Sequence, residues 1–166
     1  QGSGKTSLCR WLSGVLPAPP VNNEPCVSTF TGNLTSGTPV VVQLFDAPCD
    51  YWHGDVSKEV MKNADLGLIL INVMENTGRA SYWRKLYTLR HSQQASKKSV
   101  DVILVGTNVA GNVAKSEEQT IKLQEQAKAT VLEIGALMGL PSVIFEEDAH
   151  SLLQVKQLIL QTLRRI

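Results

Sequence analysis

The chain has 166 residues, 43% hydrophobic and 19% charged, and its 16 basic and 15 acidic side chains leave a net charge of +1. That is enough chain for one domain with a real buried core, and so balanced a charge excludes nucleic acid or an anionic membrane surface as a bulk electrostatic partner. The longest apolar runs, such as Leu66 to Val73, are too short to span a bilayer, and Cys9, Cys26 and Cys49 lack metal-ligand spacing and read as thiols of a reducing, cytoplasmic compartment.

A helix is predicted from Gly4 to Ser13, with Gly14 placed to stop it. Pro17, Pro19, Pro20 and Pro25 then make a loop, because prolines at that density fit neither a helix interior nor a central strand. Cys26–Leu34 and Pro39–Phe45 read as strands joined by the polar turn Thr35-Ser36-Gly37-Thr38, an antiparallel hairpin. Leu66–Val73 is a nearly continuous apolar run, as expected for a strand covered on both faces. A helix over Arg79–Gln93 and a second buried strand over Val100–Gly106 follow.

Ser116 with Gln119 reads as a capping box, and Glu117 and Glu118 suit the first turn of the long helix it opens, which ends near Gly139-Leu140-Pro141. A short strand over Ser142–Phe145 leads to a closing helix over Ala149–Arg165. The apolar residues of that helix, Leu152, Val155, Leu158, Ile159 and Leu163, fall on one stripe. Strands alternating with helices predict an α/β fold: a mostly parallel sheet with helices on both faces and one antiparallel hairpin.

Gly2-Ser3-Gly4-Lys5-Thr6-Ser7 is the second half of a phosphate-binding P-loop, Gly-x-x-x-x-Gly-Lys-Ser/Thr. Its glycines let successive backbone N–H groups turn toward phosphate oxygens. Lys5 supplies a compact cation, the Thr6 hydroxyl suits Mg²⁺, and the helix that follows offers its positive dipole end. The loop's first glycine and the apolar strand that should feed it would precede residue 1, so the sequence reads as a fragment lacking the first strand of its domain.

Val40-Val41-Val42-Gln43-Leu44-Phe45-Asp46-Ala47-Pro48-Cys49 resembles the strand and Asp-x-x-Gly motif of Ras-like small GTPases. Val102–Asn108 is similar to the strand and base-recognition segment of Roc domains, the Ras-like modules of Roco proteins, as are Tyr82-Trp83 and Gly139-Leu140-Pro141. The resemblance covers nearly the whole chain. It implies GTP or GDP with Mg²⁺ as cofactors and Asp46 as a holder of Mg²⁺ through water. Thr29 or Thr31 would be the switch threonine on the metal, with Thr29 preferred, and Thr107 and Asn108 would lie beside the base. A nucleotide-binding set of Gly2, Ser3, Gly4, Lys5, Thr6, Ser7, Asp46, Thr107 and Asn108 follows, with Thr6, Asp46 and Thr29 around the metal.

The sequence also departs from that pattern. Cys49 replaces the glycine of Asp-x-x-Gly, and Asp50 stands where many relatives carry the glutamine that orients attacking water, which predicts poor hydrolysis. Ala110 stands where an aspartate should accept hydrogen bonds from guanine. Each such charge-assisted bond is worth about 1.5–3 kcal/mol, so guanine preference should fall unless another group such as Asn112 substitutes. Asp148-Ala149-His150 matches the last family motif weakly, and Asp148 reads better as a helix N-cap. His53, His91 and His150 are too scattered for a metal site, and Tyr51-Trp52 is either packing or a partner surface.

The leading expectation is a GTP/GDP-binding regulatory domain, with slow hydrolysis if any, inside a larger signalling or scaffold protein. Its partners would be other domains of that protein and effector or regulator proteins, with room for a dimer. A pseudo-GTPase interaction module is the alternative, and a P-loop small-molecule kinase is a third reading disfavoured by the hairpin before Asp46.

Overall fold

The computed structural model describes residues 4–14, 26–46, 63–73 and 100–163. Within them the elements are α1 (Lys5–Ser13), β1 (Cys26–Asn33), β2 (Pro39–Asp46), β3 (Leu66–Asn72), β4 (Asp101–Thr107), a 3-10 turn (Val109–Gly111), α2 (Glu117–Met138), β5 (Ser142–Ile144) and α3 (Ala149–Leu163). The proline-rich loop, Cys49, Asp50, Tyr51-Trp52 and the helix predicted over 79–93 lie outside the described residues.

Local chemistry accounts for the boundaries. Gly14 ends α1 in the left-handed region at φ 73°, with its N–H donating to the Arg10 carbonyl. Gly139 does the same for α2 at φ 66°, a conformation that costs a glycine nothing and strains any residue with a β-carbon. At the other end of α2 the Ser116 hydroxyl accepts from the Gln119 N–H over 3.2 Å, the serine half of the capping box read from the sequence.

Strands β1 and β2 pair antiparallel from Cys26 opposite Asp46 to Asn33 opposite Pro39. Their turn closes where the Gly37 N–H donates to the Leu34 carbonyl. Strands β3, β4 and β5 form a parallel sheet in that order. The strands thus form two sheets among the described residues, with no ladder joining β2 to β3. Side chains join them instead.

Alternation along β4 sends Ile103 and Val105 to one face and Leu104 to the other. On the first face Leu8 and Leu12 of α1, Phe30 and Leu44 of the hairpin, and Val155 and Ile159 of α3 share one buried cluster with Ile103, Val105 and Val143. On the second, Val131 and Ile134 of α2 cover Leu104 and Ile71. Helices therefore lie on both faces of the parallel sheet. Each such leucine or isoleucine contributes about 1.5–3 kcal/mol by leaving water, and α1 and α3, which share the first cluster with both, bridge hairpin and sheet. No helix of the described residues is long and apolar enough to cross a membrane.

Candidate functional site

The C-terminal edge of the parallel sheet is where an open α/β fold presents a crevice to a ligand, and here the N-terminus of α1 lies beside it. Gly4, the N-cap of α1, has φ 78°. A β-carbon at Gly4 would meet Thr107 at 3.7 Å, so the start of the helix rests against the end of β4. Thr107 is buried, and its hydroxyl donates to the Ile71 carbonyl over 3.2 Å, tying the ends of β4 and β3 together. The Val73 N–H donates to the Thr107 carbonyl and continues that seam.

Thr6, in the first turn of α1, donates its hydroxyl hydrogen to Asp46 Oδ2 over 2.7 Å. Asp46 is the last residue of β2, so packing of α1 against the hairpin unites two oxygens that are 40 residues apart in sequence. A hydroxyl and a carboxylate are the hard donors that Mg²⁺ takes, and that ion needs only one or two protein ligands when phosphates and waters complete its shell. Among the described residues no three His, Cys, Asp or Glu side chains converge to hold a metal by themselves. The residues present therefore fit a phosphate-bound Mg²⁺ better than an all-protein metal cage.

Ser7 follows Thr6 by roughly 100° around the helix axis, and its hydroxyl donates to Glu147 Oε1 over 3.1 Å. Glu147 precedes α3 and adopts φ 55°, an uncommon conformation for a residue with a side chain. Its neighbours are fixed on both sides. The Glu146 N–H donates to the Ser151 hydroxyl at 2.9 Å, and the Ser151 N–H donates to Asp148 Oδ1 at 2.7 Å. Asp148 is thus the N-cap of α3 that the sequence indicates, and the Ser151 N–H holds its carboxyl below the usual aspartate range. Lys128 of α2 reaches Glu146 at 3.0 Å and Glu125 at 3.1 Å. Those two acceptors, Glu146 foremost, raise its ammonium above the usual lysine value.

Asn108 sits at φ 61° and opens the 3-10 turn Val109–Gly111, a left-handed placement that asparagine tolerates better than most residues. Val109 is buried beneath the turn and Ala110 is exposed on it. Asn112, the sequence's candidate to replace the missing aspartate, donates its side-chain N–H to the Val109 carbonyl at 3.1 Å and so lies against the turn.

The structure brings Gly4, Thr6, Ser7, Asp46 and Thr107 together, with Lys5 opening the same helix, and places Asn108 directly after Thr107. Gly2 and Ser3 lie outside the described residues. Thr29 is not brought to the pair. It sits opposite Gln43 in the middle of β1, three ladder positions from the residue facing Asp46, or roughly 10 Å along the strand. Thr29 and Thr31 are both exposed on one face of the hairpin, as alternation in a strand requires.

Glu147 and its contact with Ser7 were not read from the sequence. A separation of 140 residues leaves no local pattern to find, and glutamate at a left-handed position has no sequence signature. No protein-family model matches the chain, and no curated protein does.

Proposed function

We propose that this chain is a Ras-like, Roc-like nucleotide-binding regulatory domain that takes GTP or GDP with Mg²⁺ and hydrolyses GTP slowly or not at all. It would serve in the cytoplasm as part of a larger signalling or scaffold protein, contacting neighbouring domains and effector or regulator proteins. The observation that carries this reading is the 2.7 Å contact between Thr6 and Asp46 at the N-terminus of α1. The helix dipole and first-turn N–H groups there suit an anion, the adjacent hydroxyl and carboxylate suit its Mg²⁺, and Lys5 at the first helical position suits the β- and γ-phosphates.

A second reading, an interaction module without guanine selectivity, is favoured by one observation. Ala110 is exposed on the turn after β4 and brings no side-chain acceptor there. Both readings share the phosphate site and differ at the base.

Nucleotide extracted from the purified full-length protein and identified by chromatography tests the proposal, together with GTP, GDP and ATP titrations of the parent and of Lys5→Ala. Bound guanine nucleotide that is lost in Lys5→Ala supports it. A parent that binds no nucleotide, or a Lys5→Ala variant that binds as well as the parent, overturns it.

A further inference from the structure

We propose that Glu147 is the carboxylate that reads the guanine edge of the nucleotide, in place of the aspartate absent at Ala110. This rests on the nucleotide site proposed above and concerns only its selectivity. The phosphate and metal end of that site lies on the Asp46 side of α1, where Thr6 points. Ser7 leaves the same helical turn in a different direction and meets Glu147 at 3.1 Å. The loop carrying Glu147 leaves β5 beside the end of β4, since the Phe145 N–H donates to the Gly106 carbonyl. Glu147 therefore stands in the loop that leaves the strand next to the one leading into Asn108 and Ala110.

A carboxylate is repelled by phosphate but accepts hydrogen bonds with both oxygens. Guanine offers two adjacent donors, N1–H and the exocyclic amine, which match that pair of acceptors. Adenine presents a bare N1 at the same edge, whose lone pair opposes a carboxylate, so one group would both attract guanine and reject adenine. Glu147 is also held in place before any ligand arrives. The Lys128 contact with Glu146, the Glu146 N–H to the Ser151 hydroxyl and the Asp148 cap fix the backbone on either side of it. That bracing keeps it at φ 55°, and such unfavourable conformations persist where surrounding contacts over-determine them.

The test is the relative affinity of the full-length protein, Glu147→Gln and Glu147→Gly for GTP, ATP and xanthosine triphosphate in Mg²⁺. In Glu147→Gln an amide faces the base. Its N–H₂ opposes the guanine amine but donates to the C2 carbonyl of xanthine, while its oxygen still accepts from N1–H. GTP affinity should fall, and xanthosine triphosphate affinity rise, each by about tenfold or more. Glycine is at ease at positive φ, so Glu147→Gly keeps the backbone and should bring the GTP to ATP ratio close to one. An unchanged ratio in both variants overturns the proposal, as does an equal loss of GTP and ATP, which would mark a ribose contact. A parent that binds both nucleotides without preference also overturns it while leaving the phosphate site standing. A parent that binds neither removes the site and the proposal together.

Discussion

Thr6 and Asp46 meet hydroxyl to carboxylate at 2.7 Å, joining the first turn of α1 to the last residue of β2. Burial of Leu8 and Leu12 against Phe30 and Leu44 sets the helix on the hairpin, and that packing makes the polar contact geometrically available. The contact links core packing to the proposed chemistry, because a shift of α1 along the hairpin would separate the two oxygens.

Removal of either oxygen donor should weaken Mg²⁺-dependent nucleotide binding while leaving the metal-independent part. Thr6→Ala and Asp46→Asn are expected to lower GTP affinity in Mg²⁺ by about tenfold or more, with little change in EDTA, whereas Thr6→Ser should retain most of the parent affinity. Titrations with and without the metal decide the point. Equal losses in both conditions would assign the pair a purely structural role.

Gly135 tests the packing of α2 against the sheet. A β-carbon there would lie 2.6 Å from the Ser142 hydroxyl oxygen and 3.1 Å from the Leu140 carbonyl. Gly135→Ala should therefore destabilise the protein by about 1–3 kcal/mol through overpacking, although alanine improves helix propensity by about 1 kcal/mol. Chemical denaturation measures the balance, and a stabilised variant would contradict the close approach.

The cap of α3 makes stability depend on pH. The folded Asp148 carboxyl is held low by the Ser151 N–H. Its stabilisation is therefore complete above the ordinary aspartate range and is lost as pH falls through the folded value. Thermal unfolding from neutral to acid pH should show a shallower acid decline in Asp148→Asn, which caps without titrating, and a lower Tm at neutral pH in Asp148→Ala. Matching acid limbs in parent and Asn variant would contradict this role.

Glu147 should be tuned for a task other than stability. Its φ of 55° is a conformation that costs a residue with a side chain on the order of 1–2 kcal/mol, of which glycine returns part by gaining freedom in the unfolded chain. Glu147→Gly is expected to be more stable than the parent by about 0.5–1 kcal/mol, measured by denaturant unfolding. A destabilised variant would mean that the Ser7 contact matters more to folding than the backbone conformation does.

Much of the fold was legible because its signals are local. Gly14 and Gly139 stop helices where left-handed caps are needed, Ser116 starts α2, and the turn around Gly37 sets the hairpin. The Lys5-Thr6 half of the candidate site can be proposed from sequence because the loop is contiguous there. Strand register across the fold is harder to read, because pairing is decided by which backbones come adjacent. Thr29 failed to reach the metal pair for a related reason, since a threonine suited to Mg²⁺ by type is held mid-strand by its register with Gln43. Ser7 and Glu147 meet only through the tertiary fold.

The most direct test of the central claim is a calorimetric titration of GTP into the nucleotide-free, full-length protein, with Mg²⁺ and with EDTA. The phosphate and metal site built around Thr6 and Asp46 predicts saturable binding at one site that is clearly tighter in Mg²⁺. No binding in Mg²⁺ up to high micromolar GTP would contradict it.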